Sequence, residues 1–166
     1  MDFMEGLKIA IKGEIEGREL YKTVSEKTED KNAKEIFKFL SDEENNHFET
    51  LKQVAFEWSK NKDKFDIKEF ENKLNYRKLS SPIFSDDFKR NIKNKHFEIS
   101  AISIAIKLEK DSFELYKKMA EQAEKDELKV LFNSLSKWEM GHYDLLNKEL
   151  KDLEENYFYE NNFYPF

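Results

Sequence analysis

Cysteine is absent from this 166-residue chain, and glycine and proline are scarce, at four and two residues. Without thiols, disulfides, zinc fingers and thiolate-held iron are all excluded. A cysteine-free chain fits a reducing cytoplasm, which is the expected location. The scarcity of Gly and Pro removes the commonest interruptions of a helix. No apolar run approaches the roughly 20 residues needed to span a bilayer. The opening stretch, MDFMEGLKIAIKGEIEG, carries acids where a signal peptide carries bases, so no membrane association is expected. Positive charge is also in deficit. Lys and Arg number 29 against 35 Asp and Glu, a net charge of −6, which disfavours nucleic acid as a partner. One basic stretch, Lys89, Arg90, Lys93 and Lys95, falls in a connecting region and reads as a solvated segment.

What remains is 39% hydrophobic and 39% charged, a mixture that with so few breakers points to long amphipathic helices. The length suits one domain with a sizeable core. A shift of 95 residues aligns two parts of the chain without a gap. IAIK at 9–12 falls on IAIK at 104–107, and Glu19-Leu20-Tyr21-Lys22 falls on Glu114-Leu115-Tyr116-Lys117. Phe37, Leu40, Ser41, Glu44, His47 and Leu51 fall on Phe132, Leu135, Ser136, Glu139, His142 and Leu146. Of the 43 positions from 9 to 51, 18 are identical, where chance gives about two or three. The chain therefore reads as a duplicated helical hairpin. The expected fold is an all-α, antiparallel four-helix bundle in a single domain. Hairpin 1 covers about 3–60, with helices near 3–28 and 31–60. A crossover at 61–96, with a helix-like piece near 67–79, is long enough to run the full length of the bundle. Hairpin 2 covers about 97–156, with helices near 97–124 and 126–156. An aromatic tail, 157–166, is too apolar for a free linker and is expected to pack on the bundle or at a subunit contact.

Each helix carries an apolar seam at alternating spacings of three and four. In the second helix it runs Phe37, Leu40, Leu51, Val54 and Trp58, and Glu44 and His47 occupy the seam between. The fourth helix repeats this with Leu128, Phe132 and Leu135, then Glu139 and His142, then Leu146. The first runs Phe3, Leu7, Ala10, Glu14, Gly17, Tyr21 and Val24; the third runs Ile102, Ala105, Glu109, Ser112, Tyr116 and Met119. Four Glu and two His thus sit at core positions of four helices. A lone acid in a charge-rich helix is ordinarily a surface residue, and a lone core His is ordinarily hydrogen-bonded; six in register reverse that expectation. A buried carboxylate without a partner is very costly, and four together repel one another. Two divalent cations balance four carboxylates, with both imidazoles neutral. In Glu-x-x-His the two side chains lie one turn apart on one face, so both can reach one ion. One Glu from each of two helices and Glu-x-x-His from each of the other two is a known ligand pattern of two-metal carboxylate bundles. The expected metal ligands are therefore Glu14, Glu44, His47, Glu109, Glu139 and His142. Carboxylate and imidazole suit iron or manganese, and zinc fits by ligand type, while copper(I) prefers sulfur.

The segments GEIEGRELY at 13–21, DEENNH at 42–47, IAIKLEKDSFELY at 104–116 and WEMGH at 138–142 resemble the rubrerythrin branch of the ferritin-like di-iron proteins. The resemblance covers both hairpins. It implies two iron ions, with Glu44 and Glu139 bridging or chelating, and a reaction with peroxide or O2 in protection from oxidative stress. Rubrerythrin proper also has a rubredoxin-like iron domain with four Cys. This chain has none, so its electrons are expected from a separate donor, such as a rubredoxin-type protein. Rubrerythrin proper has an additional carboxylate near its site, for which the sequence offers no clear equivalent. The leading expectation is an oxidoreductase, with a homodimer as the assembly. Alternatives are a ferroxidase or iron-storage protein, which requires a hollow shell of subunits, and a metal-free helical interaction module.

Other residues carry weaker expectations. Tyr21 and Tyr116 each follow a ligand Glu by seven residues and are either hydroxyls that orient a carboxylate or plain core residues. With the four Glu they complete the expected catalytic set. Gly17 and Ser112 leave a pocket for oxidant beside the metals or serve close packing. Glu43 points about 100° away from Glu44 and is expected in solvent. His96 is structural or exposed. Phe39, Phe48, Trp58 and Trp138 are expected to pack rather than relay electrons.

Overall fold

The computed structural model describes residues 1–29, 31–60, 66–73 and 96–160. Among these, five helices and no strands occur: α1 (Phe3–Lys27), α2 (Lys31–Lys60), α3 (Ile67–Lys73), α4 (His96–Gln122) and α5 (Asp126–Glu160). The basic stretch at 89–95, the remainder of the crossover at 61–65 and 74–95, and the end of the tail at 161–166 lie outside the described residues. The last helix continues to Glu160, beyond the expected end at 156, so helical backbone extends into the tail.

Local chemistry sets the helix starts. Asp2 accepts from the Glu5 backbone N–H at 2.8 Å, while the Glu5 carboxylate accepts from the Asp2 N–H at 2.7 Å. This capping box satisfies two donors that the first turn of α1 leaves open. Asp66 begins α3 in the same manner, its Oδ1 accepting from the Lys68 N–H at 2.8 Å. At the other end of α1, the Thr28 N–H closes on the Val24 carbonyl at 3.0 Å.

α1 pairs chiefly with α2, and α4 with α5; α3 and α1 both touch α5. Two apolar clusters show how the pairs stack. One joins Phe3, Leu7 and Ala10 of α1 to Leu51 and Val54 of α2, Phe70 of α3, Tyr116 and Ala120 of α4, and Leu128 to Trp138 of α5. The other joins Tyr21 of α1, Ala33 to Leu40 of α2, Ile102 and Ala105 of α4, and Leu146 of α5. The start of α1 thus lies with the end of α2, the end of α4 and the start of α5. Each hairpin is antiparallel, and α2 runs parallel to α4. The chain must therefore pass from the end where α2 finishes to the opposite end, where α4 begins. α1 and α5 approach closely at Gly6, where a Cβ would stand 2.7 Å from Leu128 Cδ2.

The duplication survives as tertiary structure. Ser41 Oγ donates to the Arg18 carbonyl at 3.1 Å, and its counterpart Ser136 donates to the Phe113 carbonyl at 3.0 Å. Each bond ties the two helices of one hairpin at corresponding positions. Between the two apolar clusters the seams turn polar, and that layer holds the centre.

Candidate metal centre

All six seam residues meet in this layer. Relative exposure is 1% for Glu14, 3% for Glu44, 3% for Glu109, 5% for Glu139 and 1% for His142. The His47 side chain is 11% exposed. His47 Nδ1 lies 3.2 Å from Glu14 Oε2 and 3.4 Å from Glu44 Oε2. His142 Nδ1 lies 3.0 Å from Glu44 Oε1, 3.5 Å from Glu109 Oε1 and 3.9 Å from Glu139 Oε2. Glu44 therefore turns one oxygen to each imidazole. Two groups of converging donors result, each with ligand atoms mutually within 4.8 Å: Glu14, Glu44, His47 and Glu139, and Glu44, Glu109, Glu139 and His142. Glu44 and Glu139 belong to both.

The electrostatics are those of an interior that needs cations. Burial, then repulsion from Glu44, pushes the Glu14 carboxyl up to about 8. Burial, with Glu14, Glu44 and Glu109 nearby, raises Glu139 well above the usual carboxylate range. Burial opposes the charge on Glu44 too, but the imidazoles of His142 and His47 outweigh it and hold that carboxyl low. The imidazoles respond in kind. Burial favours their neutral forms, yet Glu14 and Glu44 lift His47 to about 9, and Glu109 and Glu44 lift His142 well above its ordinary value. Protons thus take the place of positive charge among these acids.

Two buried atoms test whether metal fits. Glu14 Oε1 and His142 Nδ1 have no hydrogen-bond partner. His142 Nδ1 is 3.0 Å from a carboxylate oxygen without aligning on it as a hydrogen bond. Unpaired polar atoms at this depth are costly, and an imidazole among four carboxylate groups becomes a metal donor once a cation displaces its proton. The donor set fits two divalent cations of the iron, manganese or zinc type.

The surrounding residues divide. Tyr21 is buried and its hydroxyl donates a hydrogen bond to Glu109 Oε1, across the bundle. Burial and then Glu109 raise its own ionisation well above 10. Tyr116 is also buried, and its hydroxyl comes within 2.6 Å of the position a Cβ at Gly13 would take. Burial, then Glu14, raises its ionisation. Gly17 abuts the centre, and a Cβ there would make ordinary contacts of 3.5 Å with Glu44. Ser112 is half-buried. Trp138 lies flat on the His47 ring, centroids 4.1 Å apart at 12°, and Trp58 packs on Phe3 at 4.3 Å. Phe48 is half-buried under Arg18 and Lys52. Phe39, expected to pack, is instead 39% exposed, because it sits on the outer side of α2. His96 is exposed at the first residue of α4.

Glu43 requires a larger correction. It was expected in solvent, but it is half-buried, with a carboxylate oxygen within 4.8 Å of ring nitrogens of both His47 and His142. The 100° offset from Glu44 holds for α2 alone. It does not send Glu43 away from the centre, because α5 brings His142 to that side. The available signal was its position four residues before His47, one turn away on the same face.

A helical bundle with a buried four-carboxylate, two-histidine cluster defines the class of buried two-metal carboxylate proteins. The chain belongs to the rubrerythrin family, whose family model matches residues 5–151. No curated protein and no solved structure matches it. Among the described residues no helix is long and apolar enough to cross a membrane.

Proposed function

We propose that this chain is a non-haem di-iron oxidoreductase that reduces peroxide, or dioxygen, with electrons from a separate donor. The observation that carries this reading is the sharing of Glu44 and Glu139 between two adjacent donor groups, each completed by its own Glu and His. When bound, a pair of ferrous ions supplies two electrons from neighbouring positions, the number that peroxide cleavage consumes. The balanced reaction is H2O2 + 2 H+ + 2 e− → 2 H2O. A small electron-transfer protein of the rubredoxin type would return the electrons, since the chain has no thiol cluster of its own.

The chain's residues have definite parts. Glu14 and His47 would hold one ion and Glu109 and His142 the other, with Glu44 and Glu139 available to both. Four hard carboxylates favour the oxidised state of iron, which makes the loaded centre a ready reductant of oxidants. Tyr21 keeps Glu109 in one orientation by its hydrogen bond, a role outside direct ligation. The two apolar clusters on either side exclude bulk water from the layer. The test is anaerobic loading with ferrous ion followed by rapid mixing with H2O2 and with O2. Oxidation by H2O2 much faster than that of free ferrous ion, at two electrons per chain, is expected. Oxidation no faster than free ferrous ion would remove the reading.

A further inference from the structure

The duplication makes residues 43 and 138 counterparts, each four positions before its own half's histidine. Here the halves differ in kind: one carries Glu, the other Trp. Trp138 is 5% exposed and lies face to face with the His47 ring. Carbon closes that face of the imidazole. Glu43 does the opposite. It is half-buried, so it meets both solvent and centre, and one carboxylate oxygen reaches ring nitrogens of His47 and His142 within 4.8 Å. The Asn46 amide donates to its Oε1 at 3.3 Å and steadies it. The two imidazoles lie nearly parallel, centroids 5.3 Å apart at 17°. His47 is also the most exposed of the six inner residues, so the centre comes nearest to solvent at the imidazole that Glu43 reaches.

We propose that Glu43, His47 and His142 form an outer capture position for a divalent transition cation, which then passes to the buried carboxylates by exchanging ligands at the two shared imidazoles. This rests on the two-metal reading above. One carboxylate and two imidazoles are a donor set for iron(II), manganese(II), cobalt(II) or zinc(II), and a poor one for calcium or magnesium, which prefer oxygen throughout. The four inner acids are at most 5% exposed, so an ion cannot meet them directly from water. A position that shares its histidines with both inner groups gives the ion a stepwise path, with some protein ligand held at each stage.

Cobalt(II) alone serves as the probe, because its visible absorption reports ligation without any redox step. Wild type, Glu43→Gln and Glu16→Gln are mixed with Co2+ in a stopped-flow instrument, and bound metal is counted at the end. Glu43→Gln keeps the size of the side chain and an oxygen for Asn46 but loses the negative charge. Expected is the same endpoint of two ions per chain and the same final spectrum as wild type, reached about tenfold more slowly. Glu16→Gln, which removes an exposed acid from a surface pair with Lys12, is expected to load at the wild-type rate. Loading of Glu43→Gln at the wild-type rate overturns the proposal, as does equal slowing by Glu16→Gln, which would mark a general charge effect. A lost ion or altered final spectrum in Glu43→Gln also overturns it, since Glu43 would then belong permanently to the loaded centre. Failure of wild type itself to bind Co2+ removes the two-metal reading beneath, a result distinct from any difference between variants.

Discussion

The two halves of the centre descend from one hairpin pattern, yet they are not equivalent. On the Glu109 and His142 side, Tyr21 holds the carboxylate and the imidazole is 1% exposed. On the Glu14 and His47 side, Glu14 Oε1 has no hydrogen-bond partner, and the imidazole is 11% exposed beneath Trp138. Gly13 makes room for the Tyr116 hydroxyl, while its counterpart Leu108 is exposed on the outside of α4. Duplication explains the Glu and Glu-x-x-His positions common to both halves. The pairs 13/108 and 43/138 are places where the two halves differ in kind, and the two sides of the centre differ in bracing and exposure.

The largest expected effect separates shared ligands from unshared ones. Glu44→Ala should abolish binding of both ions, because its two oxygens face both histidines, whereas Glu109→Ala should remove one and leave the Glu14 side loaded. Metal analysis of anaerobically loaded protein reads the difference; equal losses in the two variants would erase the distinction.

Next comes pH. In the metal-free protein, burial works against the charge on His47, but Glu14 and Glu44 lift it to about 9. Its contribution to stability is complete below its unfolded value of 6.5 and is lost as pH rises through about 9. Glu14, pushed up to about 8 by burial and Glu44, has the same sign: folding favours its neutral form, and that advantage disappears as pH climbs from 4.5 through about 8. The metal-free Tm should therefore fall by several degrees from pH 5.5 to pH 9. Bound cations replace these protons, so the loaded protein should show little of that fall. Loading near pH 7 should release about three to four protons per chain, measurable by calorimetry in buffers of different ionisation enthalpy.

The tyrosines give a smaller contrast. Tyr21→Phe should weaken binding at the Glu109 side by about tenfold, through loss of the bond that orients that carboxylate. Tyr116→Phe should have less effect in the same competition titration. The smallest effects distinguish two glycines. At Gly17 a Cβ meets only ordinary contacts, so Gly17→Ala should raise thermal stability by about 0.5–1 kcal/mol from helix propensity. At Gly13 the same change drives a methyl against the buried Tyr116 hydroxyl and should instead cost about 1–3 kcal/mol.

Much of this was legible in the sequence because it depends on period and repetition. The offset of 95 residues placed both hairpins, and the interrupted apolar seams placed Glu14, Glu44, His47, Glu109, Glu139 and His142 in the interior, where the structure brings them together. α2 spans 31–60 as the pattern implied, since Lys31 to Lys60 has no breaker within it. What single-helix periodicity could not reveal were contacts made between helices. The placement of Glu43 beside His142 depends on where α5 docks, and the donation from Tyr21 to Glu109 depends on how the two hairpins face each other across the bundle. Phe39 shows the converse error: an aromatic residue need not pack when its helix turns it outward.

The direct test of the central claim is X-ray absorption fine structure of the protein loaded anaerobically with two equivalents of ferrous ion. Two ions sharing Glu44 and Glu139 should produce a metal–metal scattering shell at about 3.5–4 Å, with nitrogen and oxygen in the first shell and no sulfur. A first shell of the same composition with no metal–metal vector, at full occupancy, would mean separate ions and would contradict the shared centre.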